Sequence, residues 1–350
     1  SASLVHPWGR GWGTFPFVFE KVGKKIFFKH KNVYFRADED AAIHHAVDRG
    51  VSDSILGTAA IEGEPHPETG AVLVDPTSLF VQDIALVGFI FSEHIKDVTY
   101  KFDSDDSYFG ALSNFSGNTE IDVVLHFKTD APKVNAYTLP DLRSFQHTYH
   151  YSLCQLPESD FKPRLADDRV GYFTTSYQDY TSALRENPYV HNINRWNLVK
   201  AEPKFKQSPP RKPIVFWLEN SIPVEYRESV KQGVLLWNTA FERVGFKEAI
   251  QVKDQPDDPD WDAADVRYST IRWMVNPGRA YAVGPSRTNP FTGEIFDADI
   301  RISADMIRYS YLQFEEYADP ASQTAIGDSI AATLGLGFNH SAGYCDMAAG

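Results

Sequence analysis

The chain has 350 residues, enough for two domains or for one domain with a large extension. Hydrophobic residues make up 43% of it and aromatic residues 14%, which is ample for packed cores and excludes a disordered or low-complexity protein. The formal net charge of −13 argues against nucleic acid and anionic membrane surfaces as partners, because their phosphates select lysine and arginine.

Cysteines and hydrophobic runs bear on the cellular compartment. The sequence has two cysteines, Cys154 and Cys345, so one disulfide is the most that it can form, and whether the two pair stays open. No run of about 18 apolar residues occurs, so we expect no transmembrane segment. The sequence begins at Ser1 rather than at methionine, which favours a processed product that is secreted, periplasmic or organellar rather than plainly cytosolic.

Residues 1–200 are predicted to form a β-rich N-terminal domain. Short aromatic and β-branched runs alternate with glycine and charge at the spacing of antiparallel strands. His44 and His45 fall on a short predicted helix, and because adjacent side chains point to different faces, we interpret them as surface or packing residues rather than metal ligands.

A second group of histidines has a loosely metal-like spacing. His147, His150 and Cys154 follow one another closely, but no carboxylate or fourth ligand is evident near them in sequence. We therefore favour an aromatic-rich strand followed by a loop over a metal site.

A proline-rich linker at residues 201–213 is the best domain boundary, since prolines exclude helix and sheet interior. Residues 214–350 then follow the order strand, long helix, strand, strand, hairpin, helix, helix, which predicts an α+β domain with a mixed sheet. The hairpin is expected to turn at Asn-Pro-Phe-Thr-Gly, residues 289–293, and the last helix to cover residues 323–336. The long helix is expected to end at Gly245 and to lay one apolar stripe on the sheet. The stripe consists of Val230, Val234, Trp237, Phe241 and Val244.

Several stretches resemble one family of zincin-type, metzincin-like metallopeptidases. They are residues 72–80, 167–180, 192–198, 213–252, 259–273 and 284–300, and the resemblance extends over roughly residues 70–339. The family comprises large, mostly bacterial zinc-dependent enzymes with a β-rich N-terminal domain of unknown function. The resemblance implies a mixed twisted sheet, a long backing helix and an active-site helix. Family members continue well beyond the position of Gly350, so we expect the zincin-like domain of this chain to lack its C-terminal part.

In that family the last helix carries H-E-x-x-H-x-x-G-x-x-H. Two histidines one turn apart and a third after the glycine bind Zn²⁺, while the glutamate activates water. Alignment on Gly335 places Asp328, Ala332 and Phe338 at the ligand positions and Ser329 at the base position, and Asn339 matches the asparagine that follows the third ligand.

We therefore expect a remnant of the active-site helix that lacks the zinc ligands and the general base. Alanine and phenylalanine cannot bind zinc, and one carboxylate does not hold a catalytic ion that needs three protein ligands. A substitute set from His340, Cys345 and Asp346 is disfavoured, because no helix preorganises that segment. We expect no catalytic residue, no metal and no cofactor, although zinc is the cofactor of the family.

The resemblance also implies an edge strand on which a zincin pairs with an extended peptide. That strand is expected at Glu294, Ile295, Phe296, Asp297, Ala298 and Asp299.

Three functions remain open. The favoured one is a catalytically inactive pseudo-protease that acts as a structural or protein-binding subunit, with a protein partner or complex. The alternative is an active zinc-dependent endopeptidase with unusual or partner-completed ligands. A third is a carbohydrate- or protein-binding β module in the first half of the chain, with the second half as its scaffold.

Overall fold

The structure is a computed structural model that describes residues 14–89, 99–132, 139–182, 187–275 and 280–314. Among the described residues, strand accounts for 39% and helix for 15%, so the fold is α+β and mostly β. Within the described residues, no helix is long and apolar enough to cross a membrane.

Two compact units make up the fold. Unit 1 contains residues 1–197 together with two short later segments, Ala264–Arg267 and Arg287–Asp297. Unit 2 contains the remainder, Leu198–Ala263, Tyr268–Ser286 and Ala298–Gly350. The later segments of unit 1 are thus separated in sequence from the rest of that unit.

A four-stranded sheet opens unit 1. Its strands lie in the order β1-β2-β4-β5 and all pair antiparallel. Their bounds are Phe17–Val22 (β1), Lys25–His30 (β2), Ser54–Glu62 (β4) and Leu73–Val74 (β5). Helices α1 (His44–Gly50) and α2 (Thr77–Phe80) lie within this part of the chain, and α1 carries the predicted pair His44 and His45.

A three-stranded antiparallel sheet forms the centre of the unit 1 core. It consists of β6 (Lys101–Asn114), β7 (Asn118–Lys128) and β8 (Ser144–Cys154). Alternate side chains of β7 are apolar and fully or nearly fully buried, namely Ile121, Val123, Leu125 and Phe127. Because side chains alternate between the two faces of a strand, the residues between them form a second face, which is polar except at Val124.

Two small sheets complete unit 1. One has the order β10-β9-β3, with β3 at Phe35–Arg36, β9 at Thr174–Asp179 and β10 at Tyr189–Ile193. The other has the order β11-β17-β16, with β11 at Arg195–Trp196, β16 at Ser286–Thr288 and β17 at Glu294–Ala298.

Unit 2 is built on a five-stranded mixed sheet in the order β13-β12-β14-β18-β15. The strands are Ile214–Leu218 (β12), Ile250–Asp254 (β13), Ser269–Met274 (β14), Ala282–Val283 (β15) and Ile300–Ser303 (β18). β15 alone among them pairs antiparallel. Helix α5 (Ala304–Gln313) follows β18, and the helix predicted from residue 323 to residue 336 lies outside the described residues.

The predicted long helix is two helices, α3 (Val224–Leu235) and α4 (Asn238–Arg243). The turn between them is tightened, because the Trp237 N–H bonds to the carbonyl of Val234, three residues back, at 3.3 Å. The apolar stripe is accordingly wrong at two positions. Trp237 is 65% exposed and Val244 is 68% exposed, whereas the other three stripe residues are partly buried.

Candidate functional site

The polar face of the β7–β8 pair carries three consecutive pairs of polar residues. The register places Asn118 opposite Cys154, Glu120 opposite Ser152, and Asp122 opposite His150. Such directly opposed side chains lie about 5 Å apart, within reach of one another. We call Glu120, Asp122 and His150 the carboxylate–histidine site.

Glu120 is the buried member of this site, with 5% of its side chain exposed. Its carboxylate accepts hydrogen bonds from Asn118 Nδ2, Ser152 Oγ and His150 Nε2. Burial opposes ionisation, but these three donors together outweigh it and hold the pKa of Glu120 below its ordinary value. The group is therefore a carboxylate at neutral pH, with its charge balanced inside the fold.

His150 is half exposed and lies between two carboxylates. Its Nε2 atom contacts Glu120, and its Nδ1 atom lies 2.6 Å from Asp122 Oδ1. The hydrogen bond to Glu120 raises the pKa of His150 more than partial burial lowers it, and Asp122 adds to the rise. The site thus favours the imidazolium form of the ring.

Two partners of this polar face come from far along the chain. The Asn118 amide donates to the Ala264 carbonyl at 2.8 Å and accepts from the Val266 N–H at 3.0 Å. Arg287 pairs with the buried carboxylate of Asp297 at 3.1 Å. Burial lowers the pKa of Arg287, but Asp297, a hydrogen bond with Cys154 and the charge of Glu120 raise it further, so the net shift is upward.

A second cluster of ligand-type side chains lies on the neighbouring strand pair, with two members on β6 and one on β7. One atom each from Asp103, Asp106 and His126 lies within 4.8 Å of the others, a spacing that fits a metal ion. Asp103 stands at a shift in the β6–β7 register, which bulges the chain and turns the two aspartates toward His126. However, Lys128 Nζ lies 2.6 Å from Asp103 Oδ2. A bound cation would have to displace this ammonium group.

One family model matches the chain. It is described as a domain of unknown function, DUF5117, and it matches residues 9–201, more than half of the chain. The chain belongs to the DUF5117 family. No curated protein and no solved structure gives a significant match.

The DUF5117 region contains the whole carboxylate–histidine site and the Asp103–Asp106–His126 cluster. The backbone partners of Asn118, at Ala264 and Val266, and the segment that holds Arg287 lie outside the matched region. The chain therefore completes the polar face of its DUF5117 region with segments from its own later sequence.

The sequence-based view of the histidines needs a correction. His150 does have carboxylates beside it, but they come from β7, 28 and 30 positions earlier in the chain. His147 lies on the same strand as His150, and their odd spacing places the two side chains on opposite faces. The structure does not bring His147, His150 and Cys154 together as a ligand set.

The predicted peptide-binding strand also needs a correction. Residues Glu294–Ala298 form β17, which lies between β11 and β16 and so is the central strand of its sheet. Its N-terminal half pairs in parallel with Arg195 and Trp196. Among the described strands of unit 2, the end strands of the sheet are instead β13 and β15. The remnant-helix positions Asp328, Ser329, Ala332, Gly335, Phe338 and Asn339 lie outside the described residues.

Proposed function

We propose that the chain is a catalytically inactive, zincin-like protein whose second unit binds an extended polypeptide. The observation that supports this best is the sheet of unit 2, in which the parallel strands β13, β12, β14 and β18 are followed by the antiparallel end strand β15. Helices α3 and α4 connect β12 to β13. A mixed sheet with a helix after its first strand is what the resemblance implies for a zincin-like domain.

The proposed inactivity rests on the donor set in the sequence. Zinc in this family would need three ligands from the last helix and the turn after it, and positions 332 and 338 hold alanine and phenylalanine, which have no donor atom. The residues present do not fit the ion. The sequence retains the glycine and the asparagine of the family motif, at Gly335 and Asn339, without the residues of the reaction.

Of the two end strands in unit 2, β15 is the better docking edge. β13 ends in the exposed charges Lys253 and Asp254, which discourage pairing with another strand. β15 has the uncharged residues Ala282 and Val283. An extended peptide adds to such an edge through main-chain hydrogen bonds.

The register identifies which backbone groups face outward. Ser303 donates its N–H to the Tyr281 carbonyl, so Tyr281 and Ser303 form a hydrogen-bonded pair. Hydrogen-bonded and non-hydrogen-bonded pairs alternate in an antiparallel ladder. Ala282, opposite Ile302, therefore directs its N–H and C=O away from β18 and toward a docked peptide.

Elemental analysis of the purified chain tests the proposed inactivity. After dialysis against trace zinc, we expect no stoichiometric zinc and no cleavage of a denatured protein substrate. Stoichiometric zinc with cleavage would contradict the proposal and favour the alternative, an active zinc-dependent endopeptidase with unusual ligands.

A displayed library of random heptapeptides tests the proposed binding edge. We expect peptides that bind the full chain and lose binding in Ala282→Pro, because proline removes the outward N–H without removing a bond to β18. Ala282→Val is the matched control, since it keeps the N–H and suits a strand. Equal binding to both variants would place the peptide elsewhere.

A further inference from the structure

Both ring nitrogens of His150 face carboxylate oxygens. Nε2 contacts Glu120 Oε2, and Nδ1 lies 2.6 Å from Asp122 Oδ1. A neutral imidazole has only one N–H, so it would direct a lone pair at one of the two carboxylates. The geometry of the site is therefore satisfied only when His150 carries both protons.

A chain of hydrogen bonds leads from His150 to a distant segment. Glu120 contacts His150 through Oε2, and its Oε1 atom accepts from Asn118 Nδ2. The same Asn118 amide holds the backbone at Ala264 and Val266 through one donated and one accepted bond. Two side chains in series, Glu120 and Asn118, thus connect the imidazole to residues 264–267 of unit 1.

We infer that His150, Glu120 and Asn118 form a proton-dependent latch that holds residues 264–267 in unit 1. With the proton present, the imidazolium balances the buried Glu120 carboxylate and orients it toward Asn118. Without the proton, a buried carboxylate loses a charged partner, which is costly, and the hold on Asn118 weakens. The latch lies in unit 1 and does not depend on the function proposed for unit 2.

Charged groups around His150 set the pH range over which the latch opens. Glu120 and Asp122 face His150 from β7, and both raise the pKa of the histidine. The later segments add the pairs Asp265–Arg267 and Arg287–Asp297, and the Arg287 charge acts on Glu120. Arg287 remains charged throughout, so it supports Glu120 in both states and leaves His150 as the group that changes.

The sign of the effect follows from the raised pKa. A histidine whose pKa in the folded state exceeds its ordinary value of 6.5 contributes a stabilisation that is complete below pH 6.5. That contribution is lost as the pH rises through the folded value. The latch is therefore closed below pH 6.5 and loosens as the pH rises above that value, through the raised pKa of His150.

Hydrogen exchange of the full-length chain tests the latch. Exchange of peptides that cover residues 264–267 is measured by mass spectrometry at pH 6 and pH 9 and corrected for the intrinsic pH dependence of amide exchange. We expect corrected exchange to be several-fold faster at pH 9, since the Val266 N–H donates to Asn118 Oδ1 and, within the part of the chain that the structure describes, to no other acceptor. Equal corrected rates in the wild-type chain would overturn the inference.

Two variants separate the latch from general alkaline loosening. His150→Gln should give the same corrected exchange at both pH values, while His147→Gln, on the opposite face of the same strand, should keep the pH response. A pH response that survives in His150→Gln would also overturn the inference. If His150→Gln does not fold, Asp122→Asn serves instead. Because Asp122 raises the pKa of His150, this variant should move the midpoint of the response to lower pH, and an unmoved midpoint contradicts the latch.

Discussion

Arg36 and Phe291 are 255 positions apart, yet the Arg36 guanidinium lies 5.2 Å from the centre of the Phe291 ring and donates to the Phe291 carbonyl at 3.2 Å. The same group donates to the Pro290 carbonyl at 2.7 Å and stacks on Tyr177, 3.8 Å from its ring centre. One side chain thus joins strand β3, strand β9 and the turn between β16 and β17 inside unit 1.

Arg36→Lys should destabilise the chain almost as much as Arg36→Ala. An ammonium group keeps the charge but lacks the planar fork that reaches two carbonyls while stacking on a ring. We expect a loss of about 1–3 kcal/mol in the free energy of unfolding, the range for a hydrogen bond to a charged group with an added cation–π contact. Urea denaturation measures it. Arg49→Lys, on the exposed helix α1, is the matched control and should change little.

Gly293 ends the turn that Arg36 holds, and it should not tolerate a side chain. Its φ is +82°, and a Cβ there would lie 2.7 Å from the Ile193 carbonyl oxygen. We expect Gly293→Ala to cost about 1–3 kcal/mol, because strain in a left-handed conformation adds to the clash. Gly171→Ala is the control, since a Cβ at that position meets nothing within 4 Å. Equal denaturation midpoints for the two variants would contradict this account.

The turn at Gly293 is one of the features that the sequence predicts correctly. The Asn-Pro-Phe-Thr-Gly stretch indicates a turn by its local sequence alone, because proline restricts the backbone and glycine frees it in any surroundings. The sequence also predicts strand β12, from a continuous apolar run, and the two strands that follow the long helix, which are β13 and β14. The buried stripe failed at Trp237 and Val244, since periodicity shows which residues share a helix face but not how far the neighbouring sheet extends beneath it.

The carboxylate–histidine site was missed for a physical reason. Its members come from two strands whose pairing is non-local, and the sequence near His150 contains neither Glu120 nor Asp122. A usable signal does exist in the two strands. Polar residues recur at every second position in 118–122 and again in 150–154, which is the pattern of two strands that each present a polar face. The register that brings the two runs together is set by the packing of the opposite, apolar face.

Glu120→Gln should destabilise the chain at pH 7 and flatten its response to acid. The pKa of Glu120 lies below its ordinary value of 4.5, so this group contributes a stabilisation that is present above pH 4.5 and lost as the pH falls through the folded value. The variant lacks that titration and leaves His150 without its buried anion. We expect a loss of about 2 kcal/mol at pH 7 that shrinks toward pH 3. Urea denaturation across this range measures it, with the exposed Glu64→Gln as control. A loss that stays constant with pH would show that Glu120 does not titrate as argued.

Asn118→Ala should destabilise the chain by about 1–3 kcal/mol, because it removes the side-chain amide that bonds to the half-buried Val266 N–H and Ala264 carbonyl. Asn118→Asp should lower the free energy of unfolding at least as much. An aspartate keeps the acceptor for Val266, but it loses the donor to Ala264 and places a second carboxylate beside Glu120. Chemical denaturation ranks the variants against Asn114→Ala, which removes an exposed hydrogen bond to Thr119. If Asn118→Asp unfolds at the wild-type midpoint, the amide donor contributes nothing.

Residues 9–201, the DUF5117 region, should be less stable when expressed alone than as part of the full chain. Alone, the region lacks the segments 264–267 and 287–297, so Asn118 loses its backbone partners and Arg36 loses two carbonyls and a ring. Each lost contact leaves a polar group that is buried or half-buried in the full chain without its partner. Thermal unfolding followed by circular dichroism should give a lower midpoint for the fragment, and a fused copy of residues 287–297 should restore part of the difference. A fragment that melts at the temperature of the full chain, with Arg36→Ala neutral in the fragment and in the full chain alike, would mean that these long-range contacts add no stability to the family domain.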